Sequence, residues 1–231
     1  MIRLREKILA WGVHVFTSMG LLSAFMAIIA IDGQNWRSCF LWLFLCFIID
    51  GLDGSLARKF KVEEVLPFMD GKNIDFVIDF AAYALIPAFF FYKADMVSDY
   101  LMLPALAVML LSAALYYGKK GMVEDEQYFV GFPVLWNFVV FFQFFICQNQ
   151  EWLNFVSILV FGVLHFVPIK FAYPSRAKKF FWSHLAFSLI GLLGAITVLY
   201  SYPNRIITAE AAAIIGAVYF SLFAIYDTLK S

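Results

Sequence analysis

Apolar residues run almost unbroken along this chain, and polar ones gather in short breaks. Eight apolar runs stand out, at about 11–31, 36–53, 74–93, 98–117, 129–147, 152–169, 181–201 and 206–226. Each approaches the roughly 20 residues that an α-helix needs to cross a bilayer, the second and fifth being short. The runs are continuously apolar, without the alternation of a membrane barrel, so each predicts a spanning helix. The expected fold is an all-α integral membrane bundle of about eight transmembrane helices, in one membrane-embedded domain over residues 1–231. No long polar loop, internal repeat or low-complexity tract interrupts it.

Composition agrees. The chain is 63% hydrophobic and 15% charged, whereas a soluble domain is closer to half apolar and a quarter charged. Its formal net charge is zero, so no bulk attraction to nucleic acid is expected. Cys39, Cys46 and Cys147 lie in apolar runs without metal-ligand or redox spacing and read as packing residues. The first run follows Arg3, Arg5 and Lys7, as a signal peptide's would. No small-x-small cleavage site follows it, and it reads as a retained helix.

Charge in the breaks sets the orientation. Eight spans put both termini on one side. The termini and the loops near 54–73, 118–128 and 170–180 hold fourteen of the seventeen Lys and Arg, leaving only Arg37, Lys93 and Arg205 opposite. The positive-inside rule then places both termini and the basic loops in the cytoplasm. IRLREKIL, near the N-terminus, and YPSRAKKFFW, residues 173–182, mix cations with apolar residues. They read either as helices lying on the membrane surface or as ordinary basic flanks.

The break after the second run is unusual because it is acidic. Asp50, Asp53, Gly54 and Ala57 are spaced i, i+3, i+4, i+7, one face of a helix. Gly71, Asp75 and Asp79, at i, i+4, i+8, form another face at the start of the third run. Antiparallel packing of the two helices would bring four carboxylates into one cavity at the cytoplasmic boundary. Carboxylates at such a place are costly and suggest function. Four together repel one another, and divalent cations remove the conflict. Oxygen ligands suit Mg²⁺, Mn²⁺ or Ca²⁺ rather than zinc, and four carboxylates suffice for two ions, an arrangement used for phosphoryl chemistry. Glycines at 51, 54 and 71 let a ligand approach the backbone. The plainer alternative is a set of interfacial charges paired with Arg58, Lys59, Lys61 and Lys72.

Asp50-x2-Asp53-Gly54-x2-Ala57-Arg58 followed by Gly71-x3-Asp75-x3-Asp79 resembles the signature of the CDP-alcohol phosphatidyltransferases. Twelve residues, Lys59 to Asp70, separate Arg58 from Gly71, where a shorter connection is usual. That longer gap resembles the branch of bacterial phosphatidylcholine synthases. So do AWGVHVFTSMG at 10–20, EDEQYFVGFPVLWN at 124–137 and LHFVPIKFAYPSR at 164–176.

The resemblance implies attack of an acceptor hydroxyl, that of choline in this branch, on the phosphorus of CDP-diacylglycerol that bears the diacylglycerol. Phosphatidylcholine forms and CMP leaves. It also implies two divalent cations, Mn²⁺ or Mg²⁺, a homodimer and the bacterial inner membrane. Asp50, Asp53 and Asp75 would be metal ligands; Asp79 would be the base and also touch a metal. Gly54, Ala57 and Gly71 would give room for cytidine and phosphates, and Arg58 would hold a phosphate or orient a carboxylate.

A quaternary ammonium donates no N–H hydrogen bond and is held by aromatic faces supported by carboxylates. Tyr83, one turn beyond Asp79, and Trp136, Trp11, Tyr116, Tyr117 and Tyr128 near cytoplasmic ends are candidates. The alternative for each is an interfacial aromatic belt. Glu124, Asp125 and Glu126 would attract the cation or form a solvated loop. His14 and Thr17 share a face of the first helix and serve either the nucleotide or core hydrogen bonding. Lys170 and Arg176 are candidates for lipid phosphate or for anionic headgroups. His165 and His184 show no metal spacing.

Two rival functions stay open. One is the same chemistry with glycerol 3-phosphate, serine or an inositol phosphate as acceptor. The other is a cation- or proton-coupled transporter, in which the acids would lie towards the bilayer midplane.

Overall fold

The structure is a computed structural model that describes residues 3–124, 128–148, 150–172 and 180–230. The chain is a multi-pass, mostly α-helical membrane protein. Among the described residues, six helices are long and apolar enough to cross a membrane: α1 (Leu4–Asp32), α2 (Trp36–Lys59), α4 (Gly71–Lys93), α5 (Asp99–Tyr117), α8 (Phe181–Ser201) and α9 (Ile207–Lys230). A short α3 (Val62–Val65) precedes α4. Two compact units divide the chain, Met1–Lys93 and Ala94–Ser231.

Two of the eight expected spans are shorter than their apolar runs. The fifth, expected over 129–147, is helical only as α6 (Trp136–Cys147), and the sixth, expected over 152–169, only as α7 (Glu151–Leu164). Fourteen residues of α7 rise about 21 Å, short of the roughly 30 Å hydrocarbon core. Pro133 and Pro168 lie where the apolar runs continue but the helices do not. A proline lacks the N–H that a helix interior needs and biases the preceding residue towards extended backbone. The flanks instead form a small antiparallel sheet of β1 (Val123–Glu124), β2 (Tyr128–Val130) and β3 (Lys170–Ala172). The N-terminal basic stretch is not a separate surface helix, because α1 continues through it from Leu4. The second basic stretch lies mostly outside the described residues.

In the first unit, α1 packs against both α2 and α4. Its buried stripe is small and partly polar: Ala10, Val13, His14, Thr17, Gly20, Ser23, Ala24 and Ala27. Ser23 donates a hydrogen bond across the interface to the Trp42 carbonyl at 2.8 Å, and the Cys46 thiol donates to the Gly20 carbonyl at 3.3 Å. The twelve-residue connection is folded. Val62 and Leu66 pack with Ala10 and Val13 of α1, joined by Leu56, Ala57 and Phe60 at the end of α2. The long gap thus fastens the start of α1 against the motif.

In the second unit, α5 packs against α7, and α8 pairs with α9. The buried Asn154 amide donates to the Met96 carbonyl at 2.9 Å, and Arg205 makes a double hydrogen bond to Glu210.

Candidate metal centre

Local sequence sets the phase of the two acidic helices. Asn35 caps α2, its side chain accepting from the Ser38 N–H at 3.1 Å. Asp70 caps α4, accepting from the N–H groups of Lys72 at 3.0 Å and Asn73 at 3.3 Å. The Asn73 side chain donates back to the second Asp70 oxygen at 3.0 Å. Such caps satisfy N–H groups that a helix start leaves without partners. They begin α4 at Gly71, which fixes where Asp75 and Asp79 point.

The two faces do meet. Asp50 of α2 and Asp75 and Asp79 of α4 each offer a carboxylate oxygen, and these oxygens lie within 4.8 Å of one another. A cation with oxygen ligands at about 2.0–2.6 Å bridges oxygens up to about 5 Å apart, so the three fit a single hard divalent ion. Asp53 lines the same cleft and is 8% exposed. The cleft is also lined by Thr17 and Gly20 of α1, by Cys46 and Ile49 of α2, and by Ile78, Ala82 and Tyr83 of α4.

Tyr83 is buried at 4% exposure and donates a hydrogen bond to Asp50 at 2.8 Å. It lies in a π-helical turn, Ala81–Leu85, that interrupts α4 just beyond Asp79. Such turns are rare and often found at functional sites.

The nucleotide candidates lie in the same unit. Thr17 faces the cleft while donating to the Val13 carbonyl at 3.2 Å. His14 is buried beside Gly71, where an added Cβ would stand 3.3 Å from the imidazole. Glycine keeps that approach open. The His14 Nε2 has no hydrogen-bond partner among the described residues. Gly54 is half-buried. Ala57 packs in the apolar cluster beside α3. Arg58 is exposed and donates to Ser55 at 3.2 Å, while Lys61 pairs with Glu64 at 3.4 Å.

The acceptor candidates are scattered. Tyr83 is in the cleft. Trp11 is exposed, with its ring 6.2 Å from His14 and 6.3 Å from Phe68. Trp136 and Tyr116 belong to the second unit and are fully buried, at 5.3 and 5.4 Å from the His165 ring. Tyr117 is half-buried with its ring 6.5 Å from Tyr116. Tyr128 sits in β2 opposite Ala172 and Glu124. Lys170 is in β3, its backbone N–H donating to Thr228 at 2.8 Å. Asp125 and Arg176 lie outside the described residues. Cys46, expected from the sequence to be a packing residue, and Gly20, to which the motif assigns no role, also line the cleft. Their spacing was a usable signal: Cys46 is one turn before Asp50, and Gly20 three residues after Thr17.

No family model matches the chain. Curated relatives do. It is 39% identical over 170 residues to the phosphatidylcholine synthase of Mesorhizobium japonicum, covering 74% of this chain and 63% of that protein. It is 36% identical over 198 residues to the phosphatidylcholine synthase of Pseudomonas aeruginosa, covering 86% of this chain and 83% of the other. With the phosphatidylcholine synthase of Borreliella burgdorferi the identity is 32% over 226 residues, 97% and 96% of the two chains. Likeness over nearly the whole length, on a helical chain whose motif aspartates share one cleft, identifies the protein's kin: it belongs to the phosphatidylcholine synthase family.

Proposed function

We propose that this chain transfers the phosphatidyl group of CDP-diacylglycerol to choline, giving phosphatidylcholine and CMP. The observation that carries the reading is the cluster of Asp50, Asp75 and Asp79 oxygens within 4.8 Å, in a chain of this family. Asp50, Asp53, Asp75 and Asp79 hold two divalent cations, Mn²⁺ or Mg²⁺. When bound, these neutralise the diphosphate and the charge that grows on departing CMP.

Asp79 takes the proton of the choline hydroxyl, as general-base catalysis requires a group within hydrogen-bond reach. The freed oxygen pair forms a bond to the phosphorus that carries the diacylglycerol. The bond from that phosphorus to the bridging oxygen breaks, and CMP leaves with the electron pair. His14 and Gly71 shape the nucleotide end, and Arg58 meets a phosphate. The ring of Tyr83 offers an aromatic face to the choline cation. The basic flanks set the cleft at the cytoplasmic boundary of the inner membrane, where choline arrives from water and the lipid from the bilayer. The enzyme works as a homodimer.

The test uses purified protein in lipid nanodiscs with CDP-diacylglycerol and, separately, choline, serine, glycerol 3-phosphate and inositol phosphate. Phosphatidylcholine and CMP are expected in equal amounts, only with choline and only with a divalent cation. Chelation should stop both, and Mn²⁺ should restore them. Product with another alcohol and none with choline would overturn the choline assignment, and cation uptake without CMP release would overturn the transferase.

A further inference from the structure

Asp50, one of the acids of the cleft, is tied to a buried tyrosine. Its Oδ2 accepts the Tyr83 hydroxyl at 2.8 Å, from a side chain that is 4% exposed. The two residues stand 33 positions apart, on different helices. The Tyr83 ring stands edge-to-face beside Phe47 of α2, with ring centroids 6.5 Å apart. Asp50 is also the only member of the three-carboxylate group that comes from α2. Its rotation therefore decides whether its carboxylate joins those of Asp75 and Asp79 around a cation.

We infer that Tyr83 is a positioning residue for the metal centre: its hydroxyl holds the Asp50 carboxylate where one of its oxygens joins those of Asp75 and Asp79 around a cation. The physical reason is ordinary. A carboxylate on a two-bond side chain rotates unless something holds it, and each rotation away from the cluster costs the ion a ligand. A hydrogen bond to one of its oxygens restricts that rotation. Outer hydrogen bonds of this kind typically change metal affinity 10–100-fold. The π-helical turn Ala81–Leu85 is the local device, since it changes the helical phase at the turn that carries Tyr83. The hydroxyl is thus committed to Asp50, whatever the ring contributes towards the acceptor.

This rests on the proposed metal-dependent function, and the two are separable by direct Mn²⁺ binding. Tyr83→Phe keeps the ring and its packing and removes only the hydroxyl. Free and bound Mn²⁺ are measured by electron paramagnetic resonance in nanodiscs containing CDP-diacylglycerol, alongside rates at graded Mn²⁺ and choline. For Tyr83→Phe, the Mn²⁺ dissociation constant and the Mn²⁺ concentration for half-maximal rate should both rise about tenfold. The shift in Mn²⁺ affinity should exceed any shift in KM for choline, because the ring that faces the cation is kept. Phe47→Leu disturbs the packing on Tyr83 but not the hydrogen bond, and should leave Mn²⁺ binding within about twofold, which separates positioning from general loosening. Equal Mn²⁺ affinity in wild type and Tyr83→Phe overturns the inference, as does a rise in choline KM without a change in Mn²⁺ affinity. If the wild type itself binds no Mn²⁺, the metal reading falls and takes this inference with it.

Discussion

In the first unit buried and half-buried carboxylates face one another across a cleft; in the second, the buried carboxylate of Glu210 is answered by a cation and the buried imidazole of His165 is wrapped in rings. Asp50, Asp75 and Asp79 crowd within 4.8 Å, with Asp53 and Tyr83 beside them. In the second unit the buried carboxylate of Glu210 meets a cation directly, Arg205 at 2.6 and 2.8 Å. His165, fully buried, donates from Nδ1 to the Phe132 carbonyl at 2.7 Å and is ringed by Phe132, Tyr116 and Trp136. Its Nε2, the Trp136 Nε1, the Tyr116 hydroxyl and the Asn137 amide have no hydrogen-bond partner among the described residues.

The difference is one of magnitude. A neutral polar group shut away without a partner costs about 1–3 kcal/mol, which ring burial can offset. An ionised carboxylate shut away alone costs far more, so it needs a counter-charge or access to one. Glu210 has its cation built in. The aspartate cluster gathers three acids in a cleft, an arrangement suited to a cation from outside.

The sharpest way to test that contrast is Asp79→Asn. It keeps the shape of the side chain and removes the proposed base and one ligand. The rate should fall about a thousandfold, within the 10²–10⁴ range for a lost general base. Stability should move the other way. With metal chelated, Asp79→Asn removes one of three crowded like charges, so the midpoint of thermal unfolding should hold or rise. A variant that loses activity because it unfolds would erase the distinction.

The second unit should respond oppositely. Gly194 of α8 lies so close to α9 that an added Cβ would stand 2.6 Å from the Ala213 nitrogen and 2.7 Å from the Ala209 oxygen. These are backbone atoms, so neither side can yield without moving a helix. Gly194→Val should cost about 1–3 kcal/mol, the usual range for overpacking. Mn²⁺ binding by the protein that remains folded should be unchanged, since every donor of the cluster lies in the first unit. Calorimetry with Mn²⁺ titration on the same sample separates the two.

Much of the first unit was legible in the sequence. The spacing of Asp50 with Asp53, and of Gly71 with Asp75 and Asp79, is a helical period, and a period predicts a shared face. Tyr83 was legible as a neighbour of that face. Its bond to Asp50 was not, because it depends on how near α2 and α4 come. The second unit was harder. Runs 129–147 and 152–169 are apolar throughout, and hydropathy does not show where such a run stops being helical. Pro133 and Pro168 carried that signal. The pairing of Tyr128–Val130 with Lys170–Ala172 joins segments some forty residues apart and leaves no local pattern. A strand of two or three residues is too short to show alternation.

The smallest effect probes how the legible part was fixed. Asp70 is outside the cleft and exposed, yet its carboxylate collects the N–H groups of Lys72 and Asn73 and the Asn73 amide. The residue after it, Gly71, is a poor helix former. Without the cap the first turn of α4 would fray, and Asp75 sits only one turn further in. Asp70→Ala should cost about 1 kcal/mol, the usual value of an N-cap. Asp70→Ser and Asp70→Asn should cost a few tenths, since their oxygens can still accept. If the phase of α4 sets the cluster, the Mn²⁺ requirement should follow the same order, Ala worst and Asn least affected. The catalytic rate at saturating Mn²⁺ should scarcely change, because Asp70 touches none of the reacting atoms. A Mn²⁺ requirement that ignores the cap while stability follows it would mean that packing against α1, not the start of α4, holds Asp75 in place.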